Sequence, residues 1–220
     1  MRRTTFSFVP AVGILMLMLG GPAVRADTFQ LTVDNCTGGC NPSPGSSMGT
    51  VMLTQDTTGG TGVTIVVTLV SPLEFVSSGL NDTIDFNIVG TPTISLASTS
   101  NTNFFLASTM AGSEHFDGFG TFEYALGLPG NGAGSAMPSP ETFDIKCATC
   151  TVANFETNGT GASAFFGVDV YNSATTGTGA GNTGPIGGGT GAHVPDGGMT
   201  LMLLGGGLVG LETLRRRLRV

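Results

Sequence analysis

The sequence predicts an all-β fold, an antiparallel β-sandwich of jelly-roll or immunoglobulin-like type, between an N-terminal signal peptide and a C-terminal single transmembrane helix. Three observations support this prediction. Apolar and polar residues alternate over short runs, which is the period of half-buried strands. Clusters of turn-forming residues separate the runs, and glycine alone supplies 36 of the 220 residues. Seven of the eight basic residues lie near the two ends of the chain, as in membrane-orientation signals.

The first 26 residues have the three parts of a secretory signal peptide. Two arginines form the positive n-region, and residues 6–19 form the apolar h-region, which is short for a bilayer span. Val24 and Ala26 place small side chains at the −3 and −1 positions. Cleavage is therefore predicted after Ala26, with an uncleaved anchor as the alternative.

Residues 27–173 form the predicted sandwich domain, which is long enough for one hydrophobic core. Seven runs of period two supply its strands, and Val, Ile, Thr and Phe are enriched in them. The alternating apolar residues are Phe29, Leu31 and Val33; Val51 and Leu53; Val63, Ile65, Val67 and Leu69; Ile84, Phe86 and Ile88; Phe122, Tyr124 and Leu126; Phe143 and Ile145; and Phe166, Val168 and Val170.

Residues 174–193 are predicted to form a Gly/Thr-rich linker. This segment contains eight Gly and five Thr and no charged side chain. It offers too little apolar surface to offset the entropy lost on ordering, so we expect a flexible tether. Residues 182–187 are the part that could dock on the domain as a last turn.

Residues 194–220 have three consecutive parts: a short polar motif at 194–198, an apolar helix at 199–214 and an arginine cluster at 215–219. The motif residues are Val194, Pro195, Asp196, Gly197 and Gly198. A 16-residue helix rises about 24 Å, slightly less than the roughly 30 Å hydrocarbon core. The arginines are expected on the cytoplasmic side, which leaves the preceding residues outside.

This tripartite tail resembles the PEP-CTERM sorting signal of Gram-negative bacteria, and its motif is closest to the Val-Pro-Asp-Ser-Gly subtype. The resemblance implies that an exosortase-like membrane protease cuts near residues 194–197 and that the protein reaches the cell surface or the medium. Blocks at 118–122, 140–145 and 165–170 are also similar to segments of exported PEP-CTERM proteins, and they imply no reaction. A plain C-terminal membrane anchor is the alternative.

The four cysteines form two close pairs, Cys36 with Cys40 and Cys147 with Cys150. Disulfides are predicted because an exported chain meets an oxidising compartment. A four-thiolate zinc site and a redox pair are the alternatives. Three disulfide connectivities remain open at this point.

No catalytic residue, metal ligand or cofactor is predicted. His115 lies beside Glu114 and near Asp117, but neighbours on a strand point to opposite faces, so they form no triad. Asp85 and Asn87 share one strand face and could contribute to a calcium site, yet the spacing of an EF-hand is missing.

Between residues 27 and 195 the chain has 13 acidic residues and one base, Lys146, so nucleic-acid binding is excluded. The expected protein is not an enzyme. It is a structural or adhesive protein of an exopolysaccharide or biofilm matrix, first anchored in the inner membrane and then placed at the surface or outside. A carbohydrate-binding, lectin-like module is the first alternative, although the chain has no Trp and two Tyr. A secreted hydrolase is the second. The expected partners are the secretory translocon, signal peptidase, the exosortase-like protease and extracellular polysaccharide.

Overall fold

The computed structural model describes residues 25–56, 61–77, 81–108, 114–155, 164–174, 183–189 and 215. These residues form thirteen β-strands and two short 3₁₀ turns. The strands are β1 (Ala26–Asp34), β2 (Gly49–Gln55), β3 (Gly62–Leu69), β4 (Leu73–Phe75), β5 (Asp82–Phe86), β6 (Ser95–Thr99), β7 (Phe105–Ser108), β8 (Glu114–Phe116), β9 (Gly120–Phe122), β10 (Tyr124–Gly127), β11 (Glu141–Lys146), β12 (Phe166–Asn172) and β13 (Thr183–Gly188); the turns are Ala133–Ser135 and Val152–Phe155.

Eleven of the strands form a single antiparallel sheet, and this confirms the predicted all-β antiparallel class. The strand order is β6-β11-β3-β2-β1-β13-β12-β5-β10-β7, with β4 paired to β12 beside this path. The first and last strands of the path, β6 and β7, contact each other. The sheet is therefore rolled and nearly closed, and β8 with β9 forms a separate two-stranded sheet.

Most of the predicted apolar residues fill the inside of the rolled sheet, but Val33 is 37% exposed and Phe122 packs on the outer face. Phe86 lies at the centre, with its ring centroid 5.7 Å from that of Tyr124 and 5.8 Å from that of Phe155. It also lies 6.2 Å from Phe143, which belongs to a strand far from β5 in the sheet order. Such offset ring contacts stabilise beyond simple burial, and they join opposite parts of the sheet.

The β8–β9 hairpin covers part of the outer face of the sheet. Phe116, Phe119 and Phe122 pack there with Ala164 in a second, smaller apolar cluster. Because this face is covered, all five residues of β5 are buried, and so are all residues of β12 except Tyr171. Those strands are thus buried on both faces, where the sequence predicted half-buried strands.

Strand β13 lies in the segment that was predicted to be a linker, so that prediction was wrong for Thr183–Gly188. The strand is inserted between β1 and β12, with Ile186 across from Asp34 on one side and Val168 on the other. Backbone hydrogen bonds to β1 and β12 order this strand. The amino-acid composition of the segment gives no information about such bonds. Residues 175–182 and 190–193 lie outside the described residues.

Of the residues at the two predicted cleavage sites, the structure describes Ala26 but not the motif at 194–198. Ala26 is the first residue of β1 and pairs with Thr54. The rest of the signal peptide up to residue 24, the motif at 194–198 and the apolar segment at 199–214 lie outside the described residues. In the part of the chain that the structure describes, no helix has the length and apolar character to span a bilayer.

Candidate functional site

The cysteines form two local disulfides, Cys36–Cys40 and Cys147–Cys150. All four cysteines of the chain are bonded in this way. This pairing resolves the connectivity that the sequence left open. Zinc ligation by four thiolates requires reduced sulfurs, so the disulfide arrangement does not support it.

The first disulfide loop is organised by the Asp34 carboxylate. Its oxygens accept backbone N–H bonds from Cys36 at 3.0 Å, and from Cys40 and Asn41 at 2.9 Å. In the described part of the chain, Asp34, Cys36 and Cys40 are the one trio of potential metal-ligand side chains with atoms within 4.8 Å of one another. Since both sulfurs are bonded and the carboxylate accepts three N–H bonds, this trio is a structural element.

Three aspartates are buried on and beside the central strand β5, and they are the least expected feature of the fold. Asp82, Asp85 and Asp169 are 3%, 0% and 2% exposed. A fourth buried acid, Glu141, is readily explained because the hydroxyl of Ser100 donates to it at 2.9 Å and Thr99 donates as well. Buried carboxylates are costly without compensation, and each of the three aspartates also has an interaction within the fold.

The strand register places two of these aspartates on one face. Asp85 on β5 lies directly across from Gly167 on β12. Residues two apart in a strand share a face, so Asp169 lies on the same side as Asp85. This is the outer face, next to the β8–β9 hairpin, because Ile84 and Phe86 occupy the core face. The pairing of β5 with β12 ends at Ile84, and the carbonyl oxygen of Asp169 accepts from the N–H of Val76 at 3.1 Å.

An open cleft of about 300 Å³ reaches this region from the surface, and Asp169 forms part of its wall. Its lining is mostly polar and includes Asn35, Ser77, Asp117 and Asn131, with Phe116 as its aromatic member. Of its two acidic lining residues, Asp117 is almost fully exposed and Asp169 is buried. Such a cleft can hold a small polar ligand or a hydrated ion.

The sequence candidates near the cleft have other roles. His115 has a 70% exposed side chain, and its Nδ1 lies 3.7 Å from Oδ1 of Asp117 as a surface pair. The Oδ1 of Asn87 accepts from the backbone N–H of Glu123, the residue between β9 and β10, at 3.0 Å. The sequence thus identified Asp85 but paired it with Asn87, and it missed Asp169. The sequence does mark Asp169, because it is a charged residue between two apolar ones, Val168 and Val170, in a strand pattern.

Tyr124 is a buried titratable residue of the main core. Its hydroxyl donates to the carbonyl oxygen of Pro92 at 2.6 Å. Burial, and secondly the charge of Glu123, raise the pKa of Tyr124 to about 12. The hydroxyl is thus fixed by the fold as a neutral donor, which is a structural role.

No family model, no curated protein and no solved structure matches the chain. Function is therefore argued from the residues, the geometry above and the form of the C-terminal tail.

Proposed function

We propose that the chain is an exported structural or adhesive protein that works at the cell surface or in the exopolysaccharide or biofilm matrix of a Gram-negative bacterium. The secretory translocon carries it, signal peptidase removes the segment up to Ala26, and an exosortase-like membrane protease cuts near residues 194–197. The body is non-enzymatic. The finer fold assignment, a β-sandwich of jelly-roll or immunoglobulin-like type, belongs to this proposal and is supported by the contact of Phe86 with Phe143 across the core.

The observation that carries the proposal is the bonding of every cysteine in a disulfide. Disulfides persist outside the cytosol, and reducing systems in the cytosol keep thiols free. The high excess of acids over bases in the body agrees with a soluble role away from phosphate backbones and anionic lipids.

The positions of the two predicted cuts also support the proposal. Removal of the residues up to Ala26 leaves the rest of β1 in place. The sorting motif begins at residue 194, and β13 ends at Gly188, so the second cut falls at least five residues (189–193) beyond the last strand. The first cut thus removes only Ala26 from β1, and the second leaves every strand intact.

The experiment is the intact mass of the protein recovered from the outer membrane, the cell surface and the medium of a strain with an exosortase-like protease. We expect a chain that begins at Asp27, ends within residues 194–197 and is four hydrogens lighter than its reduced form. A strain without the protease is the matched control and should retain the C-terminal segment in the inner membrane. Recovery of the full-length chain from the cytosol with four free thiols contradicts the proposal.

A carbohydrate-binding module is the second candidate, and the cleft lined by Asn35, Asn131 and Phe116 favours it. Amide side chains beside an aromatic ring suit sugar hydroxyls and ring faces. Binding on a glycan array that disappears in Asn131→Ala, with unchanged thermal stability, would select this candidate. Release of reducing sugars from a polysaccharide, abolished by Asp169→Asn, would instead select a hydrolase.

A further inference from the structure

We propose that the Cys36–Cys40 disulfide is a redox latch for β13, the last strand of the sheet. The closed disulfide loop holds the first half of β13 in place, and β13 in turn shields the disulfide from reductants. The latch is a property of the folded body, so it does not depend on where the protein works. Its consequence for the C-terminal tail rests on the proposed function.

The first half of β13, residues 183–185, has a regular strand neighbour on one side only. β12 pairs with β13 along its whole length. The pairing with β1 stops at Asp34, which lies opposite Ile186 in the second half of β13. The chain that continues from β1 is the disulfide loop, and it takes the position of the second neighbour.

Two close approaches join the disulfide loop to the first half of β13. The backbone N–H of Asn35 donates to the carbonyl oxygen of Pro185 at 3.0 Å. Gly184 lies so near Cys36 that a Cβ on the glycine would be 2.7 Å from Cα and 3.2 Å from Sγ of Cys36. The position of the loop therefore determines whether this part of β13 has neighbours on both sides.

The disulfide fixes the shape of the loop. Gly38 and Gly39 both have a φ of 85°, and glycine loses more conformational freedom on ordering than other residues do. The bond between Cys36 and Cys40 removes part of that freedom before the loop docks. The docked loop also contacts β12, since the side-chain amide of Asn172 donates to the carbonyl oxygen of Cys40 at 3.0 Å. Opening the bond therefore weakens the contacts of the loop with both strands.

β13 also covers the bond that holds it. Cys36 is 9% exposed, Cys40 is 0% exposed, and both belong to the main core. A reducing thiolate has to reach one of the two sulfurs, and Gly184 occupies the space beside Sγ of Cys36. Displacement of β13 therefore gives a reductant access to the bond. Docking of the strand and oxidation of the loop favour each other in both directions, as linkage requires.

The redox step is a thiol–disulfide exchange. A dithiol reductant supplies two electrons and two protons, the Sγ–Sγ bond breaks, and Cys36 and Cys40 become thiols while the reductant closes to its own disulfide. In the reverse step a disulfide oxidant accepts the two electrons and the two protons and leaves as two thiols.

The consequence for the tail is a change in the length of chain between the sheet and the sorting motif. With β13 docked, the five residues 189–193 separate the sheet from residue 194. With β13 undocked, the last strand is β12, and the 21 residues 173–193 separate it from the motif. An oxidising compartment thus keeps the body close to the segment that the proposed processing removes.

The experiment compares two full-length variants, each studied oxidised and after treatment with dithiothreitol. Cys147→Ala/Cys150→Ala keeps only the latch bond, and Cys36→Ala/Cys40→Ala keeps only the other disulfide and is the matched control. Hydrogen exchange resolved by residue measures the protection of β13. Reduction of the first variant should speed exchange in β13 by roughly 10- to 30-fold. The control should exchange at the faster rate with and without reductant.

An equal response of β13 to dithiothreitol in the two variants, or no response in either, would overturn the proposal. The measurement uses purified protein, so its outcome is independent of the mass measurement that tests export.

Reduction kinetics of the protein with both disulfides keep the test decisive if a single-disulfide variant fails to fold. Gly184→Ala adds a methyl group that displaces β13 from the loop, so the latch bond should react with dithiothreitol several-fold faster than in the wild type. The Cys147–Cys150 bond of the same molecules is the internal control and should keep its rate. Gly134→Ala, where a Cβ meets no atom within 4 Å, should change neither rate. An unchanged rate for the latch bond in Gly184→Ala, or an equal acceleration of both bonds, would contradict the latch.

Discussion

At the scale of single residues, the absence of a side chain at Gly187 lets the β8–β9 hairpin dock on β13. A Cβ at Gly187 would lie 2.4 Å from Cε1 of Phe119 and 2.7 Å from Cζ, and Phe119 is only 1% exposed. The ring is enclosed and cannot move away at low cost. We predict that Gly187→Ala lowers the free energy of unfolding by about 1–3 kcal/mol, measured by urea denaturation.

Gly134→Ala is the control for this prediction. A Cβ at Gly134 meets no atom within 4 Å. The control variant should be as stable as the wild type or slightly more stable, because alanine has less freedom in the unfolded chain. Equal losses in both variants would show that the contact with Phe119 is not what requires glycine.

Tyr124 links the stability of the core to alkaline pH. The pKa of Tyr124 is raised to about 12 from an ordinary value of 10, mainly by burial, so the fold favours the neutral phenol. This contribution is fully present below pH 10 and is lost as the pH rises from 10 to about 12. We predict that the free energy of unfolding of the wild type falls over that window.

Tyr124→Phe tests the assignment. The variant should lose about 1 kcal/mol at pH 7, since the hydrogen bond to Pro92 is removed, and should lack this part of the alkaline decline. Denaturant unfolding at intervals from pH 7 to 12 gives both values. If the free energy of unfolding falls equally with pH in the wild type and in Tyr124→Phe above pH 10, the decline belongs to other groups.

At the scale of elements, the strands that the sequence predicted are those that bury large side chains at period two. β3 is an example, because Val63, Ile65, Val67 and Leu69 are all buried and Thr68 between them is exposed. In such a strand successive side chains point to opposite faces, so apolar residues alternate with polar ones when one face is buried and the other is exposed. β2, β11 and the core face of β12 follow the same rule, and β1 follows it as far as Leu31, beyond which the pairing with β13 is irregular and Val33 is exposed.

The missed strands are held by backbone bonds more than by buried side chains. β13 has the sequence Thr-Gly-Pro-Ile-Gly-Gly, with Ile186 as its one large apolar side chain. β6 is a largely exposed strand at one end of the sheet path, and β8 has three residues. No periodic pattern can develop in elements of this kind, so they follow only from the tertiary pairing.

The pair of buried aspartates, Asp85 and Asp169, was half predictable for the same reason. Asp85 stands out as a charge between Ile84 and Phe86, and a strand pattern assigns it a face. Its proximity to Asp169, 84 residues later in the chain (169 − 85), depends on the register between β5 and β12. A long-range register of that kind is not encoded in either segment alone.

The central position of β13 gives a prediction about truncation. A chain that ends after residue 193 keeps β13 and should unfold in one cooperative transition. A chain that ends after residue 182 leaves a gap between β1 and β12, with the bonding groups of two strands exposed and no cover for Phe119. We predict that the shorter chain loses cooperative thermal unfolding and associates, as seen by circular dichroism and size-exclusion chromatography.

Ile186→Ala, made in the chain that ends after residue 193, tests the contribution of β13 with a smaller change than the truncation. Removing a fully buried isoleucine should cost about 2–5 kcal/mol and leave the transition cooperative. A chain ending at 182 with the same unfolding midpoint as the chain ending at 193 would show that the sheet is stable without β13.

At the scale of the whole molecule, two apolar clusters of different size lie on opposite faces of one sheet. The main core fills the rolled sheet and extends from β1 to β13, whereas four buried residues secure the β8–β9 hairpin. The hairpin is also outside the continuous hydrogen-bonded sheet. Because the hairpin has few buried contacts and its own hydrogen-bond ladder, we expect it to open locally at a lower free energy than global unfolding requires.

We predict that the amides of β8 and β9 exchange with solvent before those of β2 and β3 when denaturant is low. Hydrogen exchange resolved by residue measures this order, and Phe119→Ala should speed exchange in the hairpin while leaving β2 and β3 nearly unchanged. Because the hairpin covers the face that carries Asp85 and Asp169, its opening would also expose these two buried aspartates. Exchange of all these strands at one common free energy would instead show that hairpin and sheet unfold as a single unit.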